Sequence, residues 1–404
     1  MRVVVHNSVG GLPLSPFSGP GARATGSWWS CVNPSLALRA LITTPILSWP
    51  LRVVGLLVTC FLVALPAAAG TAIRSSCAPA HEITIRSSLD GAEQPALFYV
   101  PTVTARGERR RALPLLVYLH SWSTTYKQSE GLYEAIRECE KLGWVFIAPN
   151  FRGPNNRPEA CGSKWAVRDV LDAVAHARQS ARVDARRIYL LGSSGGGHMA
   201  LVMAHQAPGV WAAVSAWVPI TDLFAWHDQC KRAGREYAKM IEACCDGPPG
   251  TPECDEQYRQ RSPIFWLDRA KGLTIDLNAG IQDGHTGSVP IDHTLNAFNV
   301  LARANGQASR MLSEGEIREM TRTARVPAHL ERERIDEPGR AHRILFRRSA
   351  GPVRVTIFDG GHSGDIPTAL TWLASQAKKT APSTTQPSSA SKNAYQNGIL
   401  HHIF

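Results

Sequence analysis

The first 81 residues of this 404-residue chain contain no aspartate or glutamate. A folded, soluble segment of that length would ordinarily carry acidic groups, so the stretch is set apart from the rest of the chain. It closes with Arg52, an apolar run over 53–65 and then Pro66-Ala67-Ala68-Ala69. A basic flank, an apolar stretch and a small-residue end make a secretory leader, with cleavage expected after Ala69. The apolar run is short for a membrane span of about 20 residues, and Pro66 follows it at once. A membrane-anchored form is therefore expected only where the leader is left uncleaved, and no stable span is expected after cleavage. Thr59 before Cys60 argues against a lipidated cysteine, and the length of 1–45 points to a start codon further downstream.

Other absences exclude whole classes of function. No C-x-x-C pair and no histidine cluster at ligand spacing is present, which argues against a zinc site, and no metal or cofactor is expected. There is no basic stripe interleaved with aromatics. Four arginines lie in 1–69, so the +11 formal charge leaves 11 − 4 = +7 on the rest, a mild excess read as solvated surface and not as a nucleic-acid site. No internal repeat is visible, so repeat architectures are set aside.

What the chain does have is apolar material, 44% of residues against 19% charged, enough for a sizeable core. After an alternating pair of segments at 81–86 and 96–101, continuous apolar runs recur at 113–119, 144–148, 188–191, 211–217, 274–278 and 353–358. Runs without polar alternation suit strands covered on both faces. Helical patterns lie between them at 130–141, 163–178, 196–205, 288–304 and 367–377, which implies a mainly parallel twisted sheet with right-handed crossovers and helices on both faces. Residues 219–272, rich in cysteine and tryptophan, are expected as a cap insertion, and 305–350 as a charged surface excursion. Residues 378–404 turn to Ser, Thr, Pro, Gln and Asn and read as a disordered tail. The catalytic unit is thus expected over 70–377.

The most informative segment is Gly192-Ser193-Ser194-Gly195-Gly196, which follows the strand Ile188-Tyr189-Leu190-Leu191 and leads into a small-residue helix. This G-x-S-x-G arrangement is a nucleophile elbow: the turn holds Ser194 in a strained conformation, and its neighbours must lack bulk. A serine hydroxyl needs a base, and the base an orienting acid, in the chain order Ser, acid, His. Asp283 follows the strand at 274–278, and His362 follows the last strand within Gly360-Gly361-His362. Asp292 and Asp359 are rival acids, and His285, His293 and His342 rival bases. His285 is also a candidate substrate contact. The oxyanion hole is expected from the Gly195 N–H and from Ser121 or Trp122 in the loop after 113–119, with Trp122 walling the acyl pocket.

Seven cysteines follow Ala69, four of them within 230–254. In an exported protein they are disulfide candidates, though adjacent Cys244 and Cys245 are poorly placed to pair with each other.

Taken together, Leu116-Val117-Tyr118-Leu119-His120, Pro149-Asn150-Phe151-Arg152-Gly153, Val183-Asp184, the elbow, Asp283 with Val289-Pro290, and Gly360-Gly361-His362 resemble the catalytic domain of the prolyl oligopeptidase family. The resemblance spans about 110–380. It implies the α/β-hydrolase fold, a serine hydrolase acting through Ser194, Asp283 and His362, and small peptide or ester substrates. Three departures stand out. His120-Ser121-Trp122 replaces the family's His-Gly-Gly loop, Gly195 stands where tyrosine is frequent, and the stretch between Ala69 and the first matching strand is too short for the family's β-propeller. The expected function is therefore a secreted or periplasmic serine hydrolase of prolyl-oligopeptidase-like type, cleaving peptide or ester bonds through an acyl-enzyme on Ser194, with peptidase the label that the resemblance favours. The alternatives are a carboxylesterase acting on carbohydrate-linked or small acyl esters, and a catalytically silent binding module on the same fold.

Overall fold

Leu113–Leu119, Val145–Pro149 and Ala213–Trp217 offer almost no polar side chain to water, and each becomes a strand buried along nearly its whole length. In this computed structural model, which describes residues 80–102, 111–128 and 131–378, they lie at the centre of one nine-stranded sheet. In chain order the strands are β1 (His81–Arg86), β2 (Glu93–Tyr99), β3 (Leu113–Leu119), β4 (Val145–Pro149), β5 (Val183–Ser193), β6 (Ala213–Trp217), β7 (Thr274–Gly280), β8 (Ile344–Ala350) and β9 (Val353–Phe358). Their spatial order is β1-β2-β4-β3-β5-β6-β7-β9-β8. The six strands from β4 to β9 across the middle run parallel, while β1, β2 and the edge strand β8 pair antiparallel.

The connecting helices are α1 (Leu132–Leu142), α2 (Lys164–Ser180), α3 (Gly195–Gln206), α4 (Leu223–Arg232), α5 (Tyr237–Cys244), α6 (Pro252–Arg261), α7 (Asp292–Ala304), α8 (Glu314–Thr323) and α9 (Ile366–Ala374). Helix α3 is buried from Gly195 through His205, which explains its all-round small and apolar composition. Helix α2 turns only one face inward, through Ala166, Val170, Ala173 and Ala177, and its start is fixed by the Ser163 hydroxyl accepting from the Ala166 N–H.

The chain order reverses beside β3, whose neighbours are β4 on one side and β5 on the other. In open α/β sheets the loops that leave the carboxyl ends of strands at such a reversal diverge and open a crevice. The segments that leave β3 and β5 begin with His120 and Ser194, so the topology points to this edge.

Two stretches differ from expectation. Residues 305–350 are not merely a surface excursion. They carry α8, closed at its N-terminus by a reciprocal Ser313–Glu316 capping box, and the edge strand β8. Strand β8 escapes notice because Arg347 and Arg348 interrupt Ile344-Leu345-Phe346, yet Ile344, Phe346, Arg348 and Ala350 alternate inward. Residues 219–272 fold as α4, α5 and α6 with two short 3-10 turns, Pro263–Phe265 and Leu267–Ala270. They build a second, smaller core in which Leu223, Trp226, Ile241 and Tyr258 surround Trp122 from the sheet edge. Each such fully buried side chain contributes about 1.5 to 3 kcal/mol relative to exposure.

The cysteines of this segment were expected to be stapled. Instead Cys139, Cys161, Cys230, Cys244, Cys245 and Cys254 are all buried thiols, and packing of apolar side chains holds these helices together. Cys77, the leader at 1–69 and most of the tail at 378–404 lie outside the described residues. Among the described residues no helix is long and apolar enough to cross a membrane.

Candidate active site

Ser194 ends β5 and opens α3 with φ 58 and ψ −118, a conformation that L-residues rarely adopt. Neighbouring backbone holds it there. Its N–H donates to the Trp217 carbonyl at 2.9 Å, and its carbonyl accepts from the His198 N–H at 2.9 Å. The elbow tolerates no bulk because a Cβ at Gly192 would overlap the Gly196 carbonyl. At Gly195 a Cβ would overlap the backbone of Trp122, which gives the physical reason that tyrosine is not found at this position.

The Ser194 Oγ lies 2.9 Å from His362 Nε2, and His362 Nδ1 lies 2.7 Å from Asp283 Oδ2. Three segments separated by 79 and 168 positions therefore meet at one sheet edge, as the order of motifs predicts. Asp283 is buried, and its second oxygen accepts from the Gly284 N–H at 2.9 Å and the Val289 N–H at 3.1 Å. The carboxylate is thus fixed by backbone donors on one oxygen and presents the other to the imidazole. Gly287 permits the close passage of its loop, since a Cβ there would overlap Asp283 Oδ1.

The rival residues do not reach Ser194. Asp359 pairs with Arg343 at 3.0 Å, and Asp292 stands at the start of α7. His293 is buried against Gln229 and Thr221, with burial holding its pKa below the ordinary value. His342 stacks on Phe358 at 5.1 Å. His285, a candidate substrate contact, is exposed and its Nε2 lies 2.9 Å from the Thr321 carbonyl of α8.

The two candidates for the second oxyanion donor separate cleanly. The Ser121 N–H already donates to Gln128 Oε1 at 2.6 Å. The N–H groups of Trp122 and Gly195 have no hydrogen-bond partner among the described residues, and the two backbones touch. Gln128, seven residues downstream of Ser121, was not foreseen, because nothing in sequence spacing marks which amide a loop glutamine will capture. The loop is further held by His120, whose ring nitrogens lie 2.9 Å from the Ser121 carbonyl and 2.8 Å from the Asn150 carbonyl, stacked on Phe151.

Trp122 does not wall an open pocket. It is 2% exposed, in edge contact with Trp226 at 4.6 Å and His198 at 5.7 Å. The insertion covers it because apolar helices α4 and α5 need a surface to bury against. Trp226 belongs to the tryptophan-rich segment 219–272. Its indole N–H donates to the Ser288 carbonyl at 2.9 Å, one residue before the Val289 amide that binds Asp283. One side chain of the insertion therefore touches both the loop with the free Trp122 amide and the loop with the acid.

Arg152 shapes the same edge from below. Its guanidinium joins Asp169 at 2.7 Å and Asp90 at 2.8 Å, tying the β1–β2 hairpin to α2 and holding the Asp90 carboxyl well below the usual range. Among the described residues no group of three metal-ligating side chains forms.

A mostly parallel sheet with a serine at an elbow and a histidine and aspartate from later strand ends defines the α/β-hydrolase class of serine hydrolases. Residues 135–318, which hold Ser194 and Asp283 but end before His362, match the model of the prolyl oligopeptidase family, and the chain has the α/β-hydrolase fold. Acylamino-acid-releasing enzyme 1 of Oryza sativa subsp. japonica is 25% identical over 194 residues, 42% of this chain and 23% of the relative. A solved acylaminoacyl peptidase in complex with Z-Gly-Gly-Phe-chloromethyl ketone superposes with a TM-score of 0.50 at 16% identity, covering 75% of this chain and 42% of the other. The acylaminoacyl peptidase of Pyrococcus horikoshii gives 0.47 at 16% identity, over 72% and 39%. The chain thus spans less than half the length of these relatives.

Proposed function

We propose that the protein is an exported serine hydrolase that cleaves peptide or ester bonds through an acyl-enzyme on Ser194. The observation that carries this reading is the continuous contact Ser194 Oγ, His362, Asp283 at 2.9 and 2.7 Å. In this mechanism His362 Nε2 takes the hydroxyl proton as Ser194 attacks the carbonyl carbon, then delivers it to the leaving group; Asp283 fixes the imidazole tautomer and stabilises the imidazolium. The N–H groups of Gly195 and Trp122 receive the developing oxyanion, aided by the positive end of α3. Water then hydrolyses the ester by the same proton path.

Peptide substrates are supported by the peptidase names of the relatives. The small-acyl ester alternative is favoured by the packing of the insertion on the loop of the Trp122 amide, with Trp226 against Trp122 and Tyr237 against Trp226, through which the insertion would cap the site. Export is supported by the acid-free leader at 1–69. The test is a panel of p-nitrophenyl esters and acylated or free peptide anilides, run with Ser194→Ala as control. Turnover of anilides that the variant loses supports a peptidase, and turnover of short esters alone supports the esterase. Turnover of nothing by a folded protein overturns the reading in favour of a silent binding module.

A further inference from the structure

Helix α2 begins against the usual electrostatics. The N-terminus of a helix is its positive end and favours acids, yet the first turn of α2 holds no acid and opens with Lys164. Lys164 is exposed and forms no ion pair among the described residues; its ammonium lies over the Trp165 ring at 4.9 Å. The Ser163 hydroxyl accepts from the Ala166 N–H, which leaves the N–H groups of Lys164 and Trp165 without partners among the described residues.

These residues line a cavity of about 900 Å³ that also meets the last turn of α3, α6 and the turn Leu267–Ala270. Arg269 is exposed there and likewise without an ion pair among the described residues, its guanidinium 4.4 Å from the centre of the Trp266 ring. Stacking on indole holds both cations in place without neutralising them. Arg261 adds a buried positive charge, although its N–H groups already donate to Gln257 and to the carbonyls of Pro158, Ala160 and Cys161. Glu256, the one carboxylate among the described lining residues, is exposed and accepts from Gln260 Nε2 at 2.8 Å.

His205 is an independent sign of a ligand. It lines the same cavity, is 3% exposed, and neither ring nitrogen has a hydrogen-bond partner. Buried polar groups are ordinarily satisfied. Burial, aided by the Arg269 charge, keeps the ring neutral, so it has one N–H to give. Helix-start N–H groups together with an ammonium, a guanidinium and an imidazole donor suit a doubly charged phosphate more fully than a carboxylate. A phosphate alone is small for this space. The edges of Trp165 and Trp266 and the amide of Gln206 offer apolar surface and a polar contact to an attached organic body.

We propose that this cavity binds a small phosphate monoester of a hydroxylated compound, such as a hexose phosphate, at a place separate from the catalytic serine. Ser194 opens α3 and His205 lies in its last turn, about 16 Å along the helix. The site does not depend on the reading of Ser194.

The test is calorimetric titration of the full chain with glucose 6-phosphate, inorganic phosphate, glucuronate and glucose. One glucose 6-phosphate per chain is expected, with inorganic phosphate competing for its place, glucuronate about tenfold weaker or more, and glucose giving no heat of binding. Lys164→Gln and Arg269→Gln change exposed side chains, so the melting temperature of the free protein should stay as it is. Each should weaken glucose 6-phosphate binding about tenfold or more. His205→Leu should weaken it as well, whereas Ser194→Ala should leave it unchanged. Absence of saturable binding, or binding that survives both charge variants unaltered, overturns the proposal. Equal binding of glucuronate overturns the assignment to phosphate. Binding lost with Ser194→Ala would put the ligand in the catalytic site and overturn the separate one.

Discussion

The two sides of Ser194 are built differently. On the sheet side, backbone meets backbone: Gly192 against Gly196, Gly195 against Trp122, and the Ser194 amide on the Trp217 carbonyl. On the insertion side, large side chains do the positioning, with Trp226 against Trp122, Tyr237 against Trp226 and four buried thiols nearby. Backbone contacts at such range allow almost no alternative residue, so that side is rigid and specified locally. Packed side chains tolerate exchange at similar volume, so the other side is adjustable and specified by the partners it happens to meet.

Substitutions can break this contrast in graded fashion. The largest effect is expected on the sheet side with Asp283→Asn, which keeps the shape but presents an amide to His362. Its kcat should fall about 10⁴-fold with the melting temperature little changed. Gly195→Ala drives a methyl group into the Trp122 backbone and displaces an oxyanion donor, so kcat should fall about 10²- to 10³-fold while KM moves less. On the insertion side, Trp226→Phe removes one hydrogen bond to Ser288 and keeps most of the ring. About a tenfold loss in kcat is expected there, as for one interaction near 1.4 kcal/mol. A loss as large as that of Asp283→Asn would erase the distinction between the two sides.

Acid sharpens the comparison along α3, with His198 in its first turn and His205 in its last. Burial pushes the pKa of His198 down to about 4 and that of His205 down to about 3, and neither ring nitrogen of His205 has a partner. Both are neutral when folded, and the unfolded chain binds protons more readily. The stability they contribute is present above pH about 6.5 and is lost as pH falls towards 4 and then 3. Thermal melts should therefore weaken steadily over that window, and His205→Leu should make the slope shallower.

How much of this was legible in the sequence tracks the same division. The elbow, Asp283 and His362 stand out because each depends on a few contiguous residues at a strand end, and the central strands because burial on both faces leaves unbroken apolar runs. Strand β8 was hidden since Arg347 and Arg348 find partners in Glu337 and Glu333, contacts that a linear pattern does not reveal. The choice of Trp122 over Ser121 turned on Gln128, and the burial of Trp122 turned on helices a hundred positions away. Long-range side-chain meetings of this kind carry no local signature.

The central claim, that Ser194 is a nucleophile activated by His362, is met most directly by reacting the folded chain with a fluorophosphonate and mapping the adduct by mass spectrometry. One phosphonyl group per chain on Ser194, formed at least about 10³-fold more slowly in His362→Ala, is the expected result. An adduct on another residue, or equal rates with and without the imidazole, would contradict the account.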